Sequence, residues 1–153
     1  DMLAAATAAL PADIAVCAAA VSDWRVAEPN GTKIKKGGAP PVLNLIENPD
    51  ILATLAAPGP DRPGLVIGFA AETESDPDAL VTIAREKREA KACDWIIAND
   101  VTPGTDTFGG DHNAVQFVTE PGAESWGRLE KVQVAERLVA RIAAQMSAMA
   151  GAA

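Results

Sequence analysis

Two lysines four residues apart, Lys87 and Lys91, are the residues of this sequence best placed to do chemistry. The segment from Pro77 to about Ala92 reads as a helix with the apolar stripe Leu80, Ile83 and Ala84. Further helical steps along that stripe land on Lys87 and then Lys91. Like charges at this spacing repel by a few tenths of a kcal/mol, and both ammonium groups fall where a buried residue is expected. An anion held between them offsets both penalties. The alternative is a pair of lysines that lay their stems on the core margin and keep their heads in water. A third basic group, Lys33-Ile34-Lys35-Lys36, stands in a stretch punctuated by Pro29, Asn30-Gly31, Gly37-Gly38 and Pro40-Pro41. It is either a cationic flap that folds over a polyphosphate or a solvated charge run on a hairpin. Together Lys33, Lys87 and Lys91 would supply the charge stabilisation that phosphoryl or nucleotidyl transfer requires.

Three carboxylates follow three apolar runs: Asp23 after AAAVS, Glu72 after GFAA and Asp100 after IIAN. In a parallel sheet all three lie at the C-terminal edge, where open α/β folds bind ligands. The alternative is that acids end strands and face water. The small residues Ala18, Ala19, Ala70, Ala71 and Ala98 would let a ligand approach the backbone there. His112, the single histidine, reads as an exposed loop residue. There is no Ser-His-Asp or Cys-His constellation, no Gly-x-Gly-x-x-Gly turn and no Walker-type loop.

The elements that must position these groups alternate. Met2–Leu10 reads as a helix end, and Asp13–Ala20 (DIAVCAAA), Leu65–Ala71 and Trp95–Ala98 read as buried strands. Lys33–Lys36 and Val42–Ile46 are expected to pair as an antiparallel ribbon. Asn48 is the expected N-cap, with Pro49 at the first helical position, of a helix over Asp50–Ala57. Asp76-Pro77 opens the lysine-bearing helix. Ala114–Thr119 alternates as a hairpin strand does, and Lys131–Met149 is a helix with Val132, Ala135, Leu138, Val139, Ile142 and Met146 on one stripe, followed by a frayed tail. The fold class that results is α/β: a Rossmann-like, mostly parallel sheet with helices on both faces and an inserted β-ribbon flap.

Composition limits the partners. At 153 residues the chain is one domain, and its 21 acidic against 13 basic residues, a net charge of −8, argue against a nucleic-acid binder. A small phosphorylated ligand needs only a few cations in one pocket. No uncharged apolar run reaches the roughly 18 residues of a membrane span, and no secretory signal opens the chain. Cys17 and Cys93, both in apolar runs, read as reduced, buried thiols, so a cytoplasmic location is expected. The opening at Asp1 rather than Met reads as a piece of a longer protein.

An ordered set of motifs carries a family resemblance. They are Ala18-Ala19-Ala20-Val21-Ser22-Asp23-Trp24-Arg25, Lys33-Ile34-Lys35-Lys36, Asn48-Pro49-Asp50-Ile51-Leu52, Gly68-Phe69-Ala70-Ala71-Glu72-Thr73, Lys87 with Lys91, Ala98-Asn99-Asp100-Val101, and Phe108 with Asp111-His112-Asn113-Ala114. From Ala15 to about Ala144 the chain resembles phosphopantothenoylcysteine synthetase, most closely the bacterial domain fused behind a flavin-dependent decarboxylase. The resemblance implies a homodimer in coenzyme A biosynthesis that joins 4′-phosphopantothenate to L-cysteine with CTP and Mg²⁺, through an acyl-CMP intermediate. FMN belongs to the decarboxylase domain. It further implies nucleotide contacts at Cys17, Ala18, Ala19, Asp23, Lys33, Pro49, Asp50, Ile51, Leu52, Phe69, Lys87 and Lys91. Lys33 is the implied catalytic residue, closing over the phosphates. Lys87 and Lys91 hold the triphosphate, and Phe69 with residues 49–52 frames the base. Ala18, Ala19 and Asn99 lie near the acyl intermediate. The family's Gly-rich opening and its Asn-x-Ser-Ser-Gly segment have no match here, so residues 1–153 are expected to form a single synthetase domain without its first βα unit. Two other readings stay open: a piece of a nicotinamide-dependent oxidoreductase, and a dimerisation or regulatory module without catalysis.

Overall fold

The computed structural model describes residues 1–33, 35, 37, 40–105 and 107–152. In chain order the elements are α1 (Met2–Ala8), β1 (Ile14–Cys17), β2 (Trp24–Val26), β3 (Leu45–Glu47), α2 (Ile51–Ala56), β4 (Leu65–Glu72), α3 (Pro77–Lys91), β5 (Trp95–Asp100), β6 (His112–Val118), β7 (Ala123–Glu130) and α4 (Lys131–Ala152). The main sheet has the order β1-β4-β5-β6-β7, and β2 pairs with β3 in a separate ribbon. β1, β4 and β5 are parallel, while β6 runs against β5 and β7 against β6. All but β6 therefore point the same way.

Helices cover both faces, as the apolar runs require. On one face Leu52 and Ala56 of α2 and Leu80 and Ala84 of α3 pack on Val66, Ala70, Ile96 and Ala98. On the other, Val134, Leu138 and Ile142 of α4 pack on Ile67, Ile97, Val115, Phe117 and Trp126. Phe117 is the centre of this second layer, edge-on to Trp95 at 5.1 Å and stacked on Trp126 at 5.2 Å. At the sheet's N-terminal edge Arg62 donates to the carbonyls of Ala56 and Pro63, both at 2.9 Å, and to the Asp94 carboxylate at 3.1 Å. Asp94 in turn accepts from the Val66 amide at 2.7 Å. This one guanidinium fastens the end of α2 to the starts of β4 and β5.

Several expectations need correction. The ribbon partner of β3 is Trp24–Val26, not the lysine run. Arg25 Nη1 reaches the Glu47 carbonyl at 2.8 Å and Asn48 Oδ1 at 3.0 Å, and Asn48 Nδ2 donates to the Ser22 carbonyl at 2.7 Å, so side chains clamp these two strands. Lys33 follows a turn in which the Thr32 amide donates to Asn30 Oδ1, and it joins no strand. Ile34 and Lys36 lie outside the described residues. Because the Asn48 amide is committed to the ribbon, the N-cap of α2 is Asp50, whose Oδ1 accepts from the Ala53 amide at 2.8 Å. Pro49 precedes the cap.

β1 stops at Cys17, whose register partner is Gly68. Beyond that point Ala18, Ala19 and Ala20 leave the sheet and are exposed. Asp23 accordingly does not end a strand of the main sheet but lies just before β2. β6 begins at His112, which sits opposite Glu130 on β7 rather than in a loop. The β7 strand was not expected at all. Finally, the buried stripe of α4 is Val134, Leu138 and Ile142, while Val132, Ala135 and Val139 are exposed. Arg137 and Arg141 set this rotation: both pair with Glu124 on β7, and they lie over the rings of Trp126 and Phe117 respectively. α4 also continues as helix past Met149.

Candidate functional site

The C-terminal edge of the sheet carries two groups of the sequence-selected residues, one on each face. Pleating decides which. Along β4 the odd residues Leu65, Ile67 and Phe69 belong to the α4 layer, and Val66 and Ala70 to the α2–α3 layer. By the same alternation Glu72 lies on the α2–α3 side and Asn99 on the α4 side. Ala71 pairs with Asn99 and Glu72 with Asp100 in register.

On the α2–α3 side the two lysines of α3 are brought into the crevice. Capping makes this possible. Asp76 accepts from the Asp78 amide at 2.9 Å with Pro77 next in line, and Ala92 ends the helix in the left-handed region at φ 54°. Lys87 forms an ion pair with Glu72 at the end of β4. Lys91, the last residue of α3, donates to Asp50 Oδ2 at the start of α2. The lysines are not buried as the stripe implied: Lys87 is exposed and Lys91 half-buried, and each ammonium has a different carboxylate of this chain beside it.

The electrostatics follow from these contacts. Partial burial pushes the Asp50 carboxyl up, but the Ala53 amide and the Lys91 ammonium more than offset this and hold it below the ordinary carboxylate range. Lys91 is raised by its hydrogen bond to Asp50, against a smaller lowering from burial, and the charges of Asp50, Asp23 and Glu47 add to the rise. Cys17 stands nearby at the end of β1, its thiol raised by burial and then by the charge of Asp50. Cys93, in the core, is pushed up to about 11 by burial. Both cysteines are free; Cys93 is buried as expected, but Cys17 is only half-buried.

On the α4 side Phe69 packs into the aromatic layer, and Asn99 is 7% exposed with no side-chain hydrogen bond among the described residues. Phe69 and Asn99 are therefore separated from Lys87 and Lys91 by the sheet itself. The exposed Ala18 and Ala19 follow β1 at the edge where the two faces meet. Asp100 is engaged by its own loop: its Oδ1 accepts from the amide of Thr102 at 2.7 Å and from the Thr102 hydroxyl, shaping the chain after β5. Lys33 is exposed in the connection from β2 to β3, with no ion pair among the described residues. Of the remaining residues, Ile51 and Leu52 form the first turn of α2, and Leu52 packs on the core.

Sequence reasoning missed Glu47 as a third acid near Lys91, because β3 was expected to pair elsewhere. It also missed β7. The signal for that strand was present in Pro121-Gly122, a turn pair between two extended runs, with Trp126 and Leu129 the inward residues of the second. Among the described residues no group of three His, Cys, Asp or Glu side chains is arranged to hold a metal ion. No helix of the described residues is long and apolar enough to cross a membrane.

Comparison with known proteins adds to this geometry. The family model of the "DNA/pantothenate metabolism flavoprotein C-terminal domain" matches residues 1–146. The chain is 40% identical over 124 residues to the coenzyme A biosynthesis bifunctional protein CoaBC of Haemophilus influenzae, covering 81% of this chain and 30% of that protein. It is 36% identical over 148 residues to the protein of the same name from Mycolicibacterium smegmatis, covering 92% of this chain and 35% of the other. The chain thus spans about a third of the length of these relatives. Among solved structures, the C-terminal domain of a CoaBC superposes with a TM-score of 0.69 at 27% identity, covering 96% of this chain and 62% of that one. A DNA/pantothenate metabolism flavoprotein from Streptococcus pneumoniae gives 0.68 at 25% identity, covering 87% and 63%.

Proposed function

Because the chain belongs to the DNA/pantothenate metabolism flavoprotein C-terminal domain family, we propose that it carries the nucleotide-binding half of a CTP-dependent phosphopantothenate–cysteine ligase of coenzyme A biosynthesis. The observation that supports this most directly is the placing of Lys87 and Lys91 on one side of the sheet's C-terminal edge, each engaged by a carboxylate that a triphosphate could replace.

In this reading the carboxylate of 4′-phosphopantothenate attacks the α-phosphorus of CTP. A carboxylate–phosphorus bond forms and the bond to the β-phosphate oxygen breaks, giving acyl-CMP and pyrophosphate. The amine of L-cysteine then attacks the acyl carbon, losing a proton, and CMP departs with the bonding pair. The chain's part is electrostatic. Lys87 and Lys91 hold the triphosphate, and Lys33 on its exposed connection closes over the phosphates and stabilises the charge that grows on the leaving pyrophosphate. Cys17, Asp23 and residues 49–52 line the nucleotide, whereas Phe69 lies on the other face of the sheet. Ala18, Ala19 and the buried Asn99 serve the acyl end. Mg²⁺ arrives with CTP as part of the substrate. Where this domain is fused to a decarboxylase, FMN would belong to that decarboxylase. The reduced thiols suit a cytoplasmic location.

Two surfaces support partners for this domain. β1 is an edge strand of the sheet, and Val16 on it and Val139 on α4 are exposed on the same side. That is the seat a further strand and helix would take, and such a βα unit would carry the groups that orient phosphopantothenate. The ribbon places Trp24 and Leu45 on one face, each 56% exposed. A second copy of the domain would cover them, giving a homodimer. The reading is tested by calorimetry with CTP, with NADH as control, beside pyrophosphate release in the presence of phosphopantothenate and cysteine. CTP is expected to bind and NADH not. Made in a full-length enzyme of the family, Lys33→Gln is expected to lose pyrophosphate release with unchanged thermal stability, and normal release would remove Lys33 from the chemistry.

A further inference from the structure

The ammonium that would hold a phosphate is already held by this chain. Lys91 Nζ donates to Asp50 Oδ2, and Asp23 and Glu47 add negative charge around it. Asp50 divides its duties between its two oxygens. Oδ1 accepts from the Ala53 amide at 2.8 Å and caps α2, while Oδ2 takes Lys91. The Lys91 side chain is 37% exposed and that of Asp50 38%, so an anion from solvent can reach the pair. A pair this exposed is weak, worth about 0.2–1 kcal/mol, and a polyphosphate with several charges can displace it.

We propose that Asp50 is a built-in competitor for the phosphate site: its carboxylate occupies Lys91 when no ligand is bound, and a polyphosphate must exchange with it. This rests on the reading of Lys91 as a phosphate ligand and adds the residue that sets its affinity. The exchange has two consequences. A free site has no unpaired Lys91 ammonium, so a lone inorganic anion gains little there. When pyrophosphate leaves, Asp50 recaptures Lys91 and favours departure of the product. The two duties of Asp50 can be separated, because asparagine caps a helix as well as aspartate does but carries no charge.

The experiment is calorimetry of the full chain with inorganic tripolyphosphate and, separately, pyrophosphate, for the unsubstituted protein, Asp50→Asn and Lys91→Ala. Asp50→Asn is expected to bind both probes about 3- to 10-fold more tightly, the scale of removing one exposed pair and one repelling charge, with a melting temperature lowered no more than that of Lys91→Ala. Should Asp50→Asn lose more stability than this, Asp50→Ser, which also caps without charge, replaces it. Lys91→Ala is expected to weaken tripolyphosphate. Unchanged or weaker binding by a well-folded Asp50→Asn, with Lys91→Ala still impaired, overturns the competitor alone. Full binding by Lys91→Ala overturns the phosphate role of Lys91, and the competitor with it.

Discussion

Leu52 and Gly68 share one space: a β-carbon on Gly68 would stand 2.4 Å from Leu52 Cδ2 and 2.9 Å from Ile96 Cδ1. The bare backbone of β4 at Gly68 is what lets the first turn of α2 lie flat on the sheet beside the end of β1. That contact fixes Asp50 relative to Lys91. Gly68→Ala is expected to destabilise the fold by about 1–3 kcal/mol through overpacking and to weaken CTP by lifting the 49–52 turn. Thermal melts and CTP calorimetry check it. A variant that melts normally and binds normally would show that Leu52 repacks without moving α2.

In the proposed function Lys87 has a double role that a single substitution cannot separate. The Glu72 side chain is only 18% exposed, so Lys87→Ala leaves a largely buried carboxylate without its cation. The expected outcome is weaker CTP binding together with a stability loss of about 1–2 kcal/mol. Adding Glu72→Gln should recover most of the stability and none of the affinity. Recovery of affinity as well would mean that Lys87 acts on the nucleotide only by neutralising Glu72.

The Asp50–Lys91 pair also sets a pH window. Asp50 is held below its ordinary value of 3.8, so its contribution is present above that pH and is lost as pH falls through the lowered folded value. Lys91 is held above its ordinary value of 10.5, so its contribution is present below that pH and is lost as pH rises through the raised folded value. A small stability advantage over Lys91→Ala, at most about 1 kcal/mol for a pair this exposed, is therefore expected on the plateau between these limits and should shrink outside both. Melting curves of the two proteins from pH 3 to pH 11 read it, and a constant gap at every pH would exclude the ion pair as its source.

The proposed homodimer rests on the ribbon. Trp24 and Leu45 lie diagonally on one face of it, and burying them against a second copy removes apolar area from water at about 25 cal/mol per Å². Leu45→Glu is expected to shift the protein toward monomer in size-exclusion chromatography with light scattering, with little change in circular dichroism because the residue is outside the core. An unaltered mass would place the contact elsewhere.

Reading order along the chain was enough for the elements whose signals are local. The unbroken apolar runs of β4 and β5, the Asp76-Pro77 start of α3 and the i,i+4 lysines depend on neighbours a few residues away, and they appear in the fold as their residue types require. So did the family resemblance, which rests on ordered short motifs. What only the tertiary structure decided are competitions among distant groups. Asn48 and Asp50 are both good helix caps, and the choice fell to Asp50 because Arg25 and Ser22, more than twenty residues upstream, take the Asn48 amide. Val132 and Val134 are both apolar, and the rotation of α4 was set by Glu124 holding Arg137 and Arg141. Lys87 and Lys91 were legible as a pair, but their partners Glu72 and Asp50 were not, since an ion pair between α3 and the ends of β4 and α2 exists only once packing has brought those ends together.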